Sequence, residues 1–419
     1  MIPVSIWLLL VLAALVISSS LRFTLSRLNT GNLKKHGKEI PPEFQGEIDQ
    51  ETLSRITDYT LESSRFGNIE SLFDDALLIA VILLGFIPWL AAEFDSRFGF
   101  VTAGLAFFGS LFLLSWVIGL PFSLYSTFVI EKKYGFSTIT FRMWLADLLK
   151  GAAISIVLMG ALLAIFLWLL DSTPLWWFWA WLVFSGFQLL MLWLYPVLIA
   201  PLFNRFEPVA DEELKQGIIE MMERRGLKVQ GIFQIDAGKR SRHTNAYFTG
   251  IGKTKRIVLY DTLLQSHPRG EILAVLAHEL GHWTRKHVLK QFALMEIVSL
   301  LVLSVSACLI RSEQFYSIFG FTQTVAFAGL FFVGVVLKPL SLFFTPIGAA
   351  MSRRFERQAD SDACSLTGNP ADLADAFKRL AKDNLANLHP HPLFAWFYYS
   401  HPPLVERIRN LNADCKKAP

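Results

Sequence analysis

The sequence predicts a mainly α-helical protein that crosses a membrane several times and carries one small polar unit of mixed α+β character. Three observations predict it. Of the 419 residues, 53% are hydrophobic and only 18% charged, and the mean hydropathy is +0.42; an ordinary soluble domain has about a quarter of its residues charged. Seven predominantly apolar runs approach or exceed the roughly 20 residues a helix needs to cross a bilayer. One long polar stretch, 206–290, instead mixes helical and alternating patterns. The formal net charge of +4 comes without a dense Lys/Arg run, which argues against a nucleic-acid partner. Cys308, Cys364 and Cys415 lie far apart in neither a pairing nor a zinc-ribbon pattern.

The spans are expected near Ile2–Leu21, Ala76–Ala92, Phe100–Leu120, Gly151–Leu170, Leu175–Ala200, Phe292–Ile310 and Thr322–Phe344. The first lacks the basic leader and small-residue cleavage site of a signal peptide, so it reads as a span. The second is short, and the sixth and seventh carry Glu296 and Lys338. Basic residues cluster after span one (Arg22, Arg27, Lys34, Lys35, Lys38) and after span three (Lys132, Lys133, Arg142), whereas the alternate loops are nearly bare. By the positive-inside rule the N-terminus lies outside and the polar insert and C-terminal segment lie in the cytoplasm. The expected organisation is residues 1–200 as five membrane helices, 201–290 as the insert, 291–350 as two more membrane helices and 351–419 as cytoplasmic C-terminal helices.

Within the insert, Asp211–Arg225 reads as an amphipathic helix with Asp211 as N-cap and Gly226 as C-cap. Val229–Ile235 and Arg256–Tyr260 read as strands, and Asn245–Thr249 as a shorter one closed by Gly250, Gly252 and Lys253. His267–Lys290 then returns to helical spacing, with Ile272, Leu273, Leu276, Leu280 and Trp283 on one side.

That last helix contains LAHELGHWTRKH. Residues four apart share a helix face, so His278 and His282 can offer ring nitrogens to one zinc ion about 2 Å away. Glu279, about 100° further round, can reach a water at the metal without ligating it, which is the placement of a general base in a zinc hydrolase. A catalytic zinc needs a third protein ligand and an open position. His287 lies about 140° round from His282 on a continuous helix and is expected to face away. Arg285 occupies the place where the extended HExxHxxGxxH pattern needs glycine. Beyond span seven, RRFERQAD places Glu356 and Asp360 on one helix face on the same side of the membrane. Glu356 is the favoured third ligand, with Asp360 accepting the N–H of a ligating histidine; alternatively Glu356 pairs with Arg353 or Arg357.

HELGH and ERQAD occur in order with PLFNRFEPV (Pro201–Val209), NAYFTG (Asn245–Gly250) and SHPPLVERI (Ser400–Ile408). With these segments the sequence resembles the type I CAAX prenyl protease family, integral-membrane zinc metallopeptidases with seven spans. The resemblance implies one zinc ion per chain held by His278, His282 and Glu356, with Glu279 catalytic and seven helices enclosing a water-filled chamber. It also implies that Asn245, Ala246 and Tyr247 belong to a substrate-binding strand and that His401 steadies the tetrahedral intermediate; Arg407, in the same segment, is left without a role. The expected partners are a peptide or lipidated peptide, cut just after a prenylated cysteine to release a tripeptide, and membrane lipid. Two alternatives are a quality-control protease without a lipid requirement and a non-enzymatic chambered transporter or receptor. A bacterial cytoplasmic membrane is the favoured location, with the endoplasmic reticulum as the alternative because CKKAP resembles a dilysine retrieval signal.

Overall fold

The computed structural model describes residues 5–228, 230–249 and 256–414. The expected positions Ile2, Val229, Gly250, Gly252, Lys253 and Cys415 lie outside them. Six described helices are long and apolar enough to cross a membrane, and a seventh span is a bent pair. The first helix, Ile6–His36, starts where Ser5 Oγ accepts the Leu8 N–H at 3.1 Å. The helices Phe100–Tyr125, Phe141–Ser172, Trp176–Leu194, His287–Ile310 and Ala326–Thr367 supply the others. Most run past the expected ends because hydropathy marks where lipid stops, not where backbone hydrogen bonding stops. The expected second span, Ala76–Ala92, is not one helix. Gln50–Leu83 and Phe86–Asp95 meet at 61° across Gly85, whose φ of 71° turns the chain through a conformation that favours glycine.

The polar insert builds a four-stranded sheet from β1 (Phe206–Pro208), β2 (Gly231–Ile235), β3 (Ala246–Thr249) and β4 (Arg256–Tyr260), in the order β1-β2-β4-β3. β2 and β4 are parallel; β1 and β3 are antiparallel edge strands. β1 was not expected, because its three residues are too few to show a period. The amphipathic helix is Glu212–Glu223, and Asp211 caps it by accepting the Leu214 N–H at 3.0 Å. The single helix expected over His267–Lys290 is instead two, with a third, short helix just before it. A short helix ends at Ser266, His267 is extended ahead of Pro268, and the motif helix runs Arg269–Thr284. Lys286 adopts a left-handed φ of 56°, and His287 opens the next membrane helix.

Two apolar cores hold the molecule. One binds the insert and C-terminal helices through residues such as Ile218, Ile257, Leu276, Leu280, Phe377 and Ile408. The other ties the opposite ends of the spans together through Leu8, Ile87, Phe107, Leu167, Phe327 and Phe332. Between them little apolar surface is buried: 6% of the apolar window of Trp176–Phe203 and 17% of those of Ile6–His36 and Phe141–Ser172. A solid bundle would bury one face of every helix; these three spans bury little of theirs, whereas Ala326–Thr367 has 44% of its window buried. Asp75, Glu296 and Lys338, ionisable groups within the helices, are partnered. Asp75 accepts from Lys338 Nζ at 2.8 Å and pairs with Arg22, and Glu296 accepts from Gln188 Nε2 at 2.6 Å and from Ser185.

The motif helix crosses the long helix Ala326–Thr367 at Gly281. A Cβ there would stand 2.9 Å from Ala359 Cα and 3.2 Å from Ala359 O. Only hydrogen fits between the two backbones, so glycine sets their separation. The insert is tied to the membrane helices by a second device, a chain from Tyr59 OH to Glu131 (2.7 Å), Glu131 to His243 Nε2 (3.3 Å) and His243 Nδ1 to Asn384 (2.9 Å), with His243 stacked on Phe136 at 4.0 Å. Burial opposes the charged ring of His243, but the Glu131 carboxylate and Asn384 outweigh it and raise its pKa.

Two outcomes follow for stability. Gly281→Ala should lower the melting temperature by the equivalent of about 1–3 kcal/mol from overpacking, although alanine is the better helix former by up to ~1 kcal/mol; a rise in melting temperature would mean that propensity, not the crossing, governs the position. A histidine whose folded pKa is raised stabilises fully below its unfolded value of about 6.5 and loses that contribution as pH rises through the folded value. The melting-temperature gap between wild type and His243→Gln should therefore shrink as pH is raised from about 6 through the alkaline range.

Candidate metal centre

On the motif helix His278 and His282 turn their Nε2 atoms toward each other at 3.2 Å. The long helix brings Glu356 to both, with Oε2 3.3 Å from His278 Nε2 and Oε1 3.3 Å from His282 Nε2. Tetrahedral bonds of 2.0–2.1 Å require donors about 3.3 Å apart. Each nitrogen has a different oxygen of the carboxylate at that spacing, one ligand atom from each residue lies within 4.8 Å of the others, and the three residues are the described cluster able to hold a metal ion. Glu356 Oε2 is buried and makes no hydrogen bond, being compensated only by the longer approaches of His278 Nε2 and Arg407 Nη2 at 3.3 and 3.4 Å. Burial opposes charge on His278, yet Asp360 and Glu356 outweigh it and raise the ring to about 9. These atoms are assembled to receive positive charge, as protons or as an ion.

The surrounding shell fixes the donors. His278 Nδ1 is 2.8 Å from Asp360 Oδ1, which fixes the ring with Nε2 turned toward His282 and Glu356. Arg407 holds Asp360 with two bonds, Nε to Oδ2 at 2.9 Å and Nη2 to Oδ1 at 2.6 Å, lies over the Phe377 ring at 3.9 Å, and comes within 3.4 Å of Glu356 Oε2. The alternative partner Arg353 donates instead to the carbonyls of Tyr399 and Ala395. His401 stands at the rim with Nε2 3.2 Å from Glu356 Oε1 and its side chain 61% exposed.

A cleft of about 320 Å³ opens beside this cluster, lined by Asn245, Ala246, His278, Glu279, His401 and Arg407 among others. Burial raises the Glu279 carboxyl against the pull of the neighbouring histidines, which moves it toward the range a base near neutrality needs. β3 flanks the cleft with its outer edge unpaired by any described strand. Asn245 lies at its start, exposed, with Oδ1 accepting the Ala246 N–H at 2.8 Å. Asn384 fixes the approach, accepting the Thr244 N–H at 3.2 Å and donating to Thr244 Oγ1 at 3.1 Å. Alternation sends the Tyr247 side chain to the other face of the sheet, against Ile235, Val258 and Tyr260, so only its main chain is available to the cleft.

One expectation is overturned. His287 does not face away: its Nδ1 is 3.1 Å from His282 Nδ1 and its Nε2 3.0 Å from Gln358 Oε1. The 100° step per residue fails because the helix is broken at Lys286. Arg407, left without a role, joins Glu356 and Asp360 of the long helix. It had a readable signal, since it falls within the apolar stripe Leu404, Ile408, Leu411 of an otherwise amphipathic helix. His389 and His391 lie away from the centre, the first contacting Glu39 O and the second capping the helix Pro392–Tyr398.

Residues 29–205 match the family described as CAAX prenyl protease N-terminal, five membrane helices, and residues 208–414 match peptidase family M48. The chain is 36% identical to CAAX prenyl protease 1 of Saccharomyces cerevisiae over 90% of both chains. It is 34% identical to the CAAX prenyl protease 1 homolog of Arabidopsis thaliana over 90% of this chain and 91% of that protein, and 32% identical to the Homo sapiens homolog over 89% and 88%. The crystal structure of S. mikatae Ste24p superposes with a TM-score of 0.91 at 31% identity, covering 98% of this chain and all (100%) of that one. Family, fold and clustered donors agree: the chain belongs to the CAAX prenyl protease family and is a multi-pass membrane metalloprotease.

Proposed function

We propose that the protein is a zinc endopeptidase that cuts membrane-tethered peptides, with the C-terminal tripeptide of a prenylated cysteine-containing chain as its substrate class. The observation that carries this reading is the set of two imidazole nitrogens and one carboxylate at 3.2–3.3 Å spacing beside a free sheet edge. Two nitrogens and one oxygen with an open fourth position suit a catalytic zinc. When bound, zinc supplies the Lewis acidity that activates water and polarises a peptide carbonyl. His278, His282 and Glu356 hold it, and Asp360 with Arg407 behind it keeps His278 in the ligating tautomer.

An extended peptide pairs with the outer edge of β3, its main chain bonded to the backbone of Ala246 and Tyr247 and to the Asn245 amide. Glu279 takes the proton of the attacking water and returns it to the leaving amine. His401 donates to the oxyanion as it develops, a contribution of roughly 3 kcal/mol for one such donor. The tripeptide assignment draws on the names of the relatives and on the span architecture. Spans that bury little of their apolar windows against one another leave room for a chamber between them, and a prenyl chain partitions into the surrounding lipid. The cytoplasmic placement of the insert rests on loop charges, and the named relatives, all from eukaryotes, lend the bacterial membrane no support.

The test is purified Glu279→Gln protein with a farnesylated and an unfarnesylated form of one peptide. The variant should retain about one zinc per chain and lose at least about 100-fold in cleavage rate, and wild type should cut the farnesylated peptide in preference. Undiminished cleavage by the variant removes Glu279 as base; equal cleavage of both peptides replaces the prenyl substrate with membrane-tethered peptides in general.

A further inference from the structure

We infer that His287 and Gln358 form a proton-fixed relay that positions His282 for metal binding, a role that rests on the zinc reading above. The reasoning is one of hydrogen counting. His282 Nε2 faces both Glu356 and His278 Nε2, so it is the ligating atom and must carry no hydrogen. A neutral imidazole holds one N–H, which then sits on His282 Nδ1. That atom is 3.1 Å from His287 Nδ1, which must accept. The His287 hydrogen is thereby confined to Nε2, where Gln358 Oε1 accepts it at 3.0 Å. Each link follows from the one before, and the amide orientation of Gln358 closes the series. With that amide reversed, every donor would reverse and His282 Nε2 would be protonated, which is incompatible with ligation.

The surroundings are built for this arrangement. His287 is only 1% exposed, so each of its nitrogens needs a partner. It is stacked on Phe355 at 4.1 Å with the rings 9° from parallel. Phe355 and Gln358 are three residues apart on the long helix and share a face. One helix therefore supplies the Glu356 carboxylate, the Asp360 acceptor for His278 and, through His287, the acceptor for His282. Lys286, one of two described non-glycine residues with positive φ, provides the turn that swings His287 beneath His282. A left-handed backbone is unfavourable at a lysine, and the relay is what that conformation secures.

His287→Phe keeps the stacked ring and removes the acceptor, while His287→Asn keeps an acceptor atom near the Nδ1 position and removes the ring. Zinc affinity is measured by competition with a chromophoric chelator, and melting temperature is recorded with and without metal. His287→Phe should bind zinc about 10–100-fold more weakly, His287→Asn should recover part of that loss, and Gln358→Leu should lose several-fold. The metal-free melting temperature of His287→Phe should match that of metal-free wild type, with only the zinc-dependent increment reduced. Wild-type zinc affinity in His287→Phe overturns the relay, as does a loss in which metal-free stability falls in parallel and His287→Asn gives no recovery. If His287→Phe does not fold, Gln358→Leu decides alone: an affinity equal to wild type rejects the relay. Wild-type protein that takes up no zinc would instead reject the metal assignment itself.

Discussion

The centre depends on how closely two helices cross. Gly281 meets Ala359 with no room for a methyl group between the backbones, and from that point the surrounding distances are set. His278 and His282 flank Gly281 on the motif helix, and Glu356 and Asp360 flank Ala359 on the long helix. A wider crossing would carry the carboxylate out of the 3.3 Å spacing that a tetrahedral ion requires. The glycine of HELGH is thus a spacer between helices.

The same crossing joins the chemistry to the membrane. The long helix begins in the apolar core at the far ends of the spans and ends beneath the motif helix as one continuous element of 42 residues. No linker separates the third donor from the span. The motif helix is in turn followed, after the single turn at Lys286, by the next span, His287–Ile310. Both halves of the donor set therefore ride on membrane helices, and the sheet with its free edge is carried between them. This suits a substrate tethered in lipid, because the distance from the bilayer to the donors is set by helices that themselves continue from the membrane.

Much of this was legible in the sequence for identifiable reasons. Hydropathy located the spans because lipid tolerates few charges over 20 residues, and it missed the bend at Gly85 because a backbone turn leaves composition unchanged. HELGH was readable because ligation and base chemistry require those residue types at helical spacing. Glu356 and Asp360 were readable because they repeat four apart on the correct side of the membrane. His287 was misplaced because helical arithmetic presumes an unbroken helix, and a left-handed lysine gives no sequence signal. Gln358 left no trace either, since its partner is brought to it only by that break. Spacing rules locate residues that share one element; they do not locate partners that meet across a discontinuity.

The central claim is that a divalent ion sits at the point shared by three side chains from two membrane-linked helices. A zinc-edge anomalous difference map from crystals of the purified protein tests it most directly. The account predicts one strong peak about 2 Å from His278 Nε2, His282 Nε2 and a Glu356 carboxylate oxygen. A map with no peak there, or with an ion bound to the histidines while Glu356 lies beyond bonding distance, would contradict it.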